Sequence, residues 1–171
     1  MSTPALLQRQ LTAPGPPGHE EAPAAVWREA AEEFADDVTL DAMGTSVARV
    51  SGRSEHPLLA VVGHVDEIGL IVSHISDKGF LHVVGSGGWD PQVLVAQRVE
   101  VLTRSGPIYG VIGRKPIHVL EGDERKKAVE LKGLHIDIGA RDGDEARRLA
   151  RVGDVAVIDG EPIELPNDRL V

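Results

Sequence analysis

From residue 70 onward the chain breaks into short β-rich runs separated by turn residues, and this spacing restricts the fold more than any other feature. The runs cover residues 70–75, 80–84, 98–103, 108–112, 134–137 and 155–159. Asp77-Lys78-Gly79, Gly85-Ser86-Gly87-Gly88 and Ser105-Gly106-Pro107 stand between several of them. Strands of this length at this interval predict a small barrel or sandwich. Aromatic residues make up 3% of the chain and hydrophobic residues 42%, so Val, Leu, Ile and Ala must fill the core. Two short helices are expected within this region, near residues 122–129 and 144–151. The second opens on acidic residues and carries Arg147, Arg148 and Arg151 near its end, matching the helix dipole.

Residues 1–69 read differently. Residues 4–11 fit a short helix with Pro4 where a proline is tolerated. Thr12-Ala13-Pro14-Gly15-Pro16-Pro17-Gly18 must be a loop, since its prolines and glycines forbid a helix or central strand. Over residues 19–34 the period is helical, with Ala22, Val26, Ala30 and Phe34 on one face and Pro23 in the first turn. Strands at 38–40 and 46–50 flank Met43-Gly44 as a hairpin. Leu58-Leu59-Ala60-Val61-Val62 is a continuous apolar run of the kind found in a strand covered on both faces. It ends at Gly63-His64-Val65-Asp66-Glu67, and in open α/β sheets the carboxyl end of a strand is where ligands bind. The expected organisation is an incomplete α/β part up to about Gly69, then a complete β module.

The chain has 18 Lys and Arg against 27 Asp and Glu, a formal net charge of −9. That balance argues against nucleic acid or an anionic membrane as the main partner, since both require clustered positive charge. A cysteine count of 0 excludes disulfides, Cys-ligated zinc and a cysteine nucleophile. No segment approaches the roughly 18 apolar residues of a membrane span. The N-terminus lacks a basic region followed by an apolar stretch, so no signal peptide is expected. The cytoplasm is the expected compartment.

The strongest chemical candidate is the His64/Asp66 pair. On a strand the two side chains share a face. A carboxylate there can fix the imidazole tautomer and raise the basicity of the free nitrogen, as beside a metal-bound histidine. The alternative is a strand-end histidine satisfied by a neighbouring carboxylate. Other candidates are weaker. Gly85-Ser86-Gly87-Gly88 lacks the phosphate-loop spacing and reads as a turn. Glu32-Glu33, Asp36-Asp37 and the run from Glu121 to Lys127 read as solvated faces. His74 and His82 fall on opposite strands of one hairpin, which invites a metal reading. With no third ligand evident, surface histidines are the simpler assignment.

Several collinear motifs resemble the N-terminal part of the M42 family of metal-dependent aminopeptidases. They are Ala13-Pro14-Gly15, Gly18-His19-Glu20-Glu21, Asp41-Ala42-Met43-Gly44, Gly63-His64-Val65-Asp66-Glu67-Ile68-Gly69 and Lys78-Gly79-Phe80. Further along come Trp89-Asp90-Pro91-Gln92-Val93-Leu94, Gln97-Arg98-Val99, Tyr109-Gly110-Val111-Ile112-Gly113, Glu124-Arg125-Lys126-Lys127 and Ile136-Asp137-Ile138-Gly139-Ala140.

The resemblance implies an α/β fold class: the N-terminal part of a metallopeptidase domain at 1–69, an inserted β-barrel-like dimerisation domain at 70–163, and a return into the catalytic domain at 164–171. It implies that His64 is a ligand of one of two divalent metal ions, zinc or cobalt, and that Asp66 orients it and supports catalysis. The implied substrates are peptides, and the implied partner is a further copy of the chain, docked through the inserted domain. In the family the bridging aspartate, the glutamate base, the other carboxylate ligands and a final histidine follow the return at Glu164-Leu165-Pro166-Asn167. They have no counterpart in this sequence, so the chain alone is expected to be inactive. A non-catalytic oligomerisation module is the rival reading. The glucanase label sometimes attached to the family is a second, disfavoured because glycosidases need two carboxylates flanking a sugar and aromatics are scarce.

Overall fold

A computed structural model of the chain describes residues 4–54, 56–167 and 169–171, with Asp123 and Glu124 described by backbone alone. Met1, Ser2 and Thr3 of the signal-peptide reading lie outside the described residues, as does Asp168 after the return point. So do the side chains of Asp123 and Glu124 in the charged run. The chain divides into two units, one formed by residues up to Glu67 together with Glu161–Val171, the other by Ile68–Gly160.

In the first unit, α1 (Ala5–Thr12) begins directly after Pro4 and buries none of its residues. It is tied to α2 (Glu21–Glu32) by an Arg9–Glu29 ion pair and by Gln10, whose side-chain amide donates to the Pro23 carbonyl. Pro23 lies in the first turn of α2, where the backbone N–H groups have no helical partner. The buried face is Pro23, Ala24 and Ala31, not the expected Ala22, Val26, Ala30 and Phe34. Phe34 is 66% exposed because α2 stops at Glu32, before the helix can carry it onto a common face. β1 (Asp37–Leu40) and β2 (Ser46–Arg49) form the expected antiparallel hairpin. Its turn is set by Asp41, whose carboxylate accepts from the Met43 and Thr45 N–H groups, and by Gly44 at φ +89°.

The apolar run at residues 58–62 corrects the sequence reading. It forms no strand, and Leu58 and Val61 are 84% and 91% exposed. A buried strand requires a hydrogen-bonded neighbour and two covering layers, and no ladder among the described residues includes this segment. Hydrophobicity alone therefore does not make it a strand within this chain.

The second unit is built on β3 (Gly69–Ile75), β4 (Leu81–Ser86), α3 (Pro91–Leu94), β5 (Arg98–Thr103), β6 (Gly106–Arg114), β7 (Leu134–Asp137), α4 (Gly143–Leu149) and β8 (Val155–Ile158). The six strands close in the order β3-β4-β7-β6-β5-β8, every neighbouring pair antiparallel. Closure leaves no unpaired edge to aggregate. Of the two architectures expected, the barrel is the one formed. Leu70 and Val72, Leu81 and Val83, Val99 and Val101, and Leu134 and Ile136 point inward by strict alternation. Each such side chain contributes roughly 1.5–3 kcal/mol when fully buried. The first unit, by contrast, buries only Ala24 and Ala31 among its described hydrophobic residues. Most of the chain's cohesion therefore resides in the barrel.

Two details shape the barrel's outer wall. The β3–β4 register shifts between Val72 and His74, so Ser73 and His74 both face outward and Ile75 returns to the core. Such a bulge inserts one residue into a strand and re-aims the side chains beyond it. Without it, His74 would continue the inward series of Leu70 and Val72. The long β6–β7 connection carries three short 3-10 turns, Ile117–Val119, Gly122–Lys126 and Leu131–Gly133. The helix expected over 122–129 is only the middle one, since that stretch offers no apolar stripe for a longer helix to bury. α4 is capped by Asp142, which accepts from the Glu145 N–H. After the barrel, β9 (Glu164–Leu165) and β10 (Arg169–Leu170) form a two-residue antiparallel pair.

Candidate functional site

His64 and Asp66 follow the exposed apolar run on irregular backbone, not on the strand that the sequence reading assumed, because the run before them forms no strand. The sequence placed them on one face, and their side chains meet: His64 Nδ1 is 2.9 Å from Asp66 Oδ1 and 3.2 Å from the Asp66 carbonyl oxygen. The His64 side chain is 84% exposed and that of Asp66 38%. Two acceptors at Nδ1 favour the tautomer with the proton there, which leaves Nε2 with a free lone pair.

The segment is anchored one residue further on. The Glu67 N–H donates to the Gly15 carbonyl at 3.0 Å, and the Gly15 N–H donates to Glu67 Oε1 at 3.2 Å. Gly15 is buried, and a Cβ there would lie 2.4 Å from Pro23 Cγ and 2.9 Å from Pro23 Cδ. Ala13-Pro14-Gly15 and Gly63-His64-Val65-Asp66-Glu67 are thus two sides of one contact, and only glycine fits between Glu67 and Pro23. Sequence reasoning saw both motifs and missed their pairing.

Several other motif residues make local hydrogen bonds. Glu20 accepts from the Gly18 N–H, Asp90 caps α3 through the Gln92 N–H, and Asp137 accepts from the Gly139 N–H. The Trp89 indole N–H donates to the Gly69 carbonyl at 2.7 Å, fixing the start of β3. Asp36 accepts from the Ser51 N–H at 2.6 Å, and that bond holds its carboxyl below the usual range. Gly85-Ser86-Gly87-Gly88 ends β4 and opens into the turn before α3, as expected.

On the barrel's outer wall the structure adds a residue that the sequence reading left out. His74 and His82 are register partners with ring centroids 5.8 Å apart, and His135 of β7 lies 6.3 Å from His82. His135 packs on Phe80 at 4.4 Å, and burial together with the neighbouring His82 pushes its pKa below the ordinary histidine value. The alternation of Leu134, His135 and Ile136 marks His135 as outward. Only the non-sequential β4–β7 pairing brings it to His82.

A shallow cleft of about 280 Å³ on the same unit is lined by His74, Ile75, Arg147, Ala150, Arg151 and Val152. Its arginines are engaged, Arg147 with Asp77 and Asp144 and Arg151 with Asp154. Among the described residues, no group of three or more His, Asp or Glu side chains is arranged to hold a metal ion. None of the described helices is long and apolar enough to cross a membrane.

The chain belongs to the M42 glutamyl aminopeptidase family, whose model matches residues 44–171. It is 31% identical over 153 residues to the lysyl aminopeptidase of Pyrococcus furiosus, covering 88% of this chain and 44% of that protein. A TET aminopeptidase from a marine sediment archaeon, Thaumarchaeota archaeon SCGC AB-539-E09, superimposes with a TM-score of 0.90 at 40% identity. That match covers 96% of this chain and 46% of the other. Pyrococcus horikoshii TET1 peptidase, which can assemble into a tetrahedron or a large octahedral shell, gives 0.81 at 34% identity over 94% of this chain and 48% of its own. An endoglucanase from Thermotoga maritima gives 0.79 at 29% identity, covering 96% of this chain and 47% of that one. The chain spans about half the length of the relatives it matches.

Proposed function

We propose that this chain is the N-terminal part of a metal-dependent aminopeptidase that removes residues from the amino ends of peptides in the cytoplasm. The observation that carries the reading is the 2.9 Å contact between His64 Nδ1 and Asp66 Oδ1. It presents Nε2 as a metal ligand with its second nitrogen already held by a carboxylate, the arrangement that orients metal-bound histidines. The donor set fits one position of a metal centre. The remaining ligands would come from outside the described residues, since none of these complete a set of three around His64.

Two divalent ions, zinc or cobalt, would supply a water deprotonated near neutral pH and would polarise the peptide carbonyl. Within that site His64 would bind through Nε2, and Asp66 would keep the proton on Nδ1. Glu67, fastened to Gly15, fixes the backbone on which both stand. The barrel is proposed to be the assembly module through which copies of the chain associate, a reading supported by the assemblies named for the Pyrococcus horikoshii relative.

The resemblance to an endoglucanase gives the second reading, hydrolysis of a β-glucan. One experiment separates the readings. Whole protein, extended past Val171 as its gene directs, is loaded with Zn²⁺ or Co²⁺ and assayed on aminoacyl-p-nitroanilides and on cello-oligosaccharides. Aminoacyl release is expected, with kcat/KM falling at least about a hundredfold in His64→Ala because a metal ligand is lost. The 171-residue chain alone is expected to release nothing. Turnover by that chain, or cleavage of the glucan alone, overturns the proposal.

A further inference from the structure

Three of the chain's seven histidines stand in a row across β3, β4 and β7, in the unit that does not contain His64 and Asp66. The bulge at Ser73 turns His74 outward beside its register partner His82. Among the described residues, no protein group hydrogen-bonds the imidazole nitrogens of His74 or His82, so both rings keep an unused lone pair. Metal–imidazole bonds of about 2.0–2.1 Å place the centroids of two adjacent ligands roughly 5 Å apart. The observed 5.8 Å separation is therefore within a small side-chain rotation of that spacing.

We propose that His74 and His82 form a cross-strand chelating pair for a divalent transition metal of borderline softness, copper, nickel or zinc. Imidazole donors select these ions over calcium and magnesium, which require oxygen ligands. Antiparallel pairing supplies the pre-organisation. The two rings are held opposite one another by the barrel's hydrogen bonds, so binding costs only side-chain rotation. The arginines sharing the cleft with His74 are neutralised by Asp77, Asp144 and Asp154, so no unpaired guanidinium opposes a cation there. No third His, Asp or Glu among the described residues completes the set. Water, or a side chain from another molecule, takes the open positions.

The test is calorimetric titration of the untagged chain with Ni²⁺ and Cu²⁺ at pH 7.5, alongside NMR of the histidine ring protons. A saturable site is expected to persist in His64→Ala. Removing either ligand, in His74→Ala or His82→Ala, is expected to weaken it at least about tenfold. In the unsubstituted chain, substoichiometric Cu²⁺ is expected to broaden the His74 and His82 signals while leaving His118 sharp. Binding that vanishes in His64→Ala, or that survives both His74→Ala and His82→Ala unchanged, overturns the proposal. Broadening confined to His64 overturns it as well.

Discussion

Glu67 and Gly15 hold each other in both directions, the Glu67 N–H donating to the Gly15 carbonyl and the Gly15 N–H donating to the Glu67 carboxylate. The contact closes 52 residues of chain and joins two motifs that look independent in the sequence. It rests on a glycine with no room for a side chain, because Pro23 occupies that space. The backbone bearing His64 and Asp66 thus inherits its position from the proline-rich loop.

That contact predicts an ordered pair of effects. Glu67→Ala is expected to destabilise the first unit by about 1 kcal/mol or more, the usual net worth of a hydrogen bond. Glu67→Gln, which keeps the accepting oxygen, is expected to lose less. Gly15→Ala is expected to cost the most, about 1–3 kcal/mol for overpacking against Pro23. Urea denaturation of the three variants checks the order, and a Gly15→Ala chain as stable as the parent contradicts it.

Apolar side chains of similar type are expected to differ sharply in what they contribute within this chain. Leu81 is 0% exposed and register-paired with Ile136, so Leu81→Ala should cost about 2–5 kcal/mol. Leu59 is 85% exposed, and Leu59→Ala should change stability by no more than about 0.5 kcal/mol. Thermal denaturation of both variants in the 171-residue chain checks the contrast.

A titration is expected at α4. The Arg141 side chain and backbone N–H both donate to Glu145, and these bonds lower its pKa from 4.5 to about 2. A carboxyl depressed in the folded state contributes stability that is present above its unfolded value. That contribution should be lost as pH falls from 4.5 through about 2. Carboxyl-detected NMR should find the low midpoint, and Arg141→Ala should move it up toward 4.5.

The barrel was legible because alternation and turn chemistry are local. Leu81, Val83, Leu134 and Ile136 reveal their inward direction within four residues, and Gly79 and Gly106 mark their turns by needing positive φ. The order in which strands pair was not legible, because no local pattern states that β7 lies between β4 and β6. For that reason His135 escaped notice beside His82. The reading of residues 58–62 failed for a different cause. Burial is a property of what covers a segment, and within this chain nothing described pairs with it. At the site, His64 and Asp66 were singled out by a strand argument, but no strand forms there and their contact is made on irregular backbone. The Glu67–Gly15 contact spans most of the first unit, and composition could not show it.

The bulge at Ser73 carries a broader consequence. For the chain as it stands, the bulge decides whether Ile75 or His74 faces the core, and so whether an imidazole sits among leucines or in water. The inner and outer walls of this barrel are therefore written in a single register.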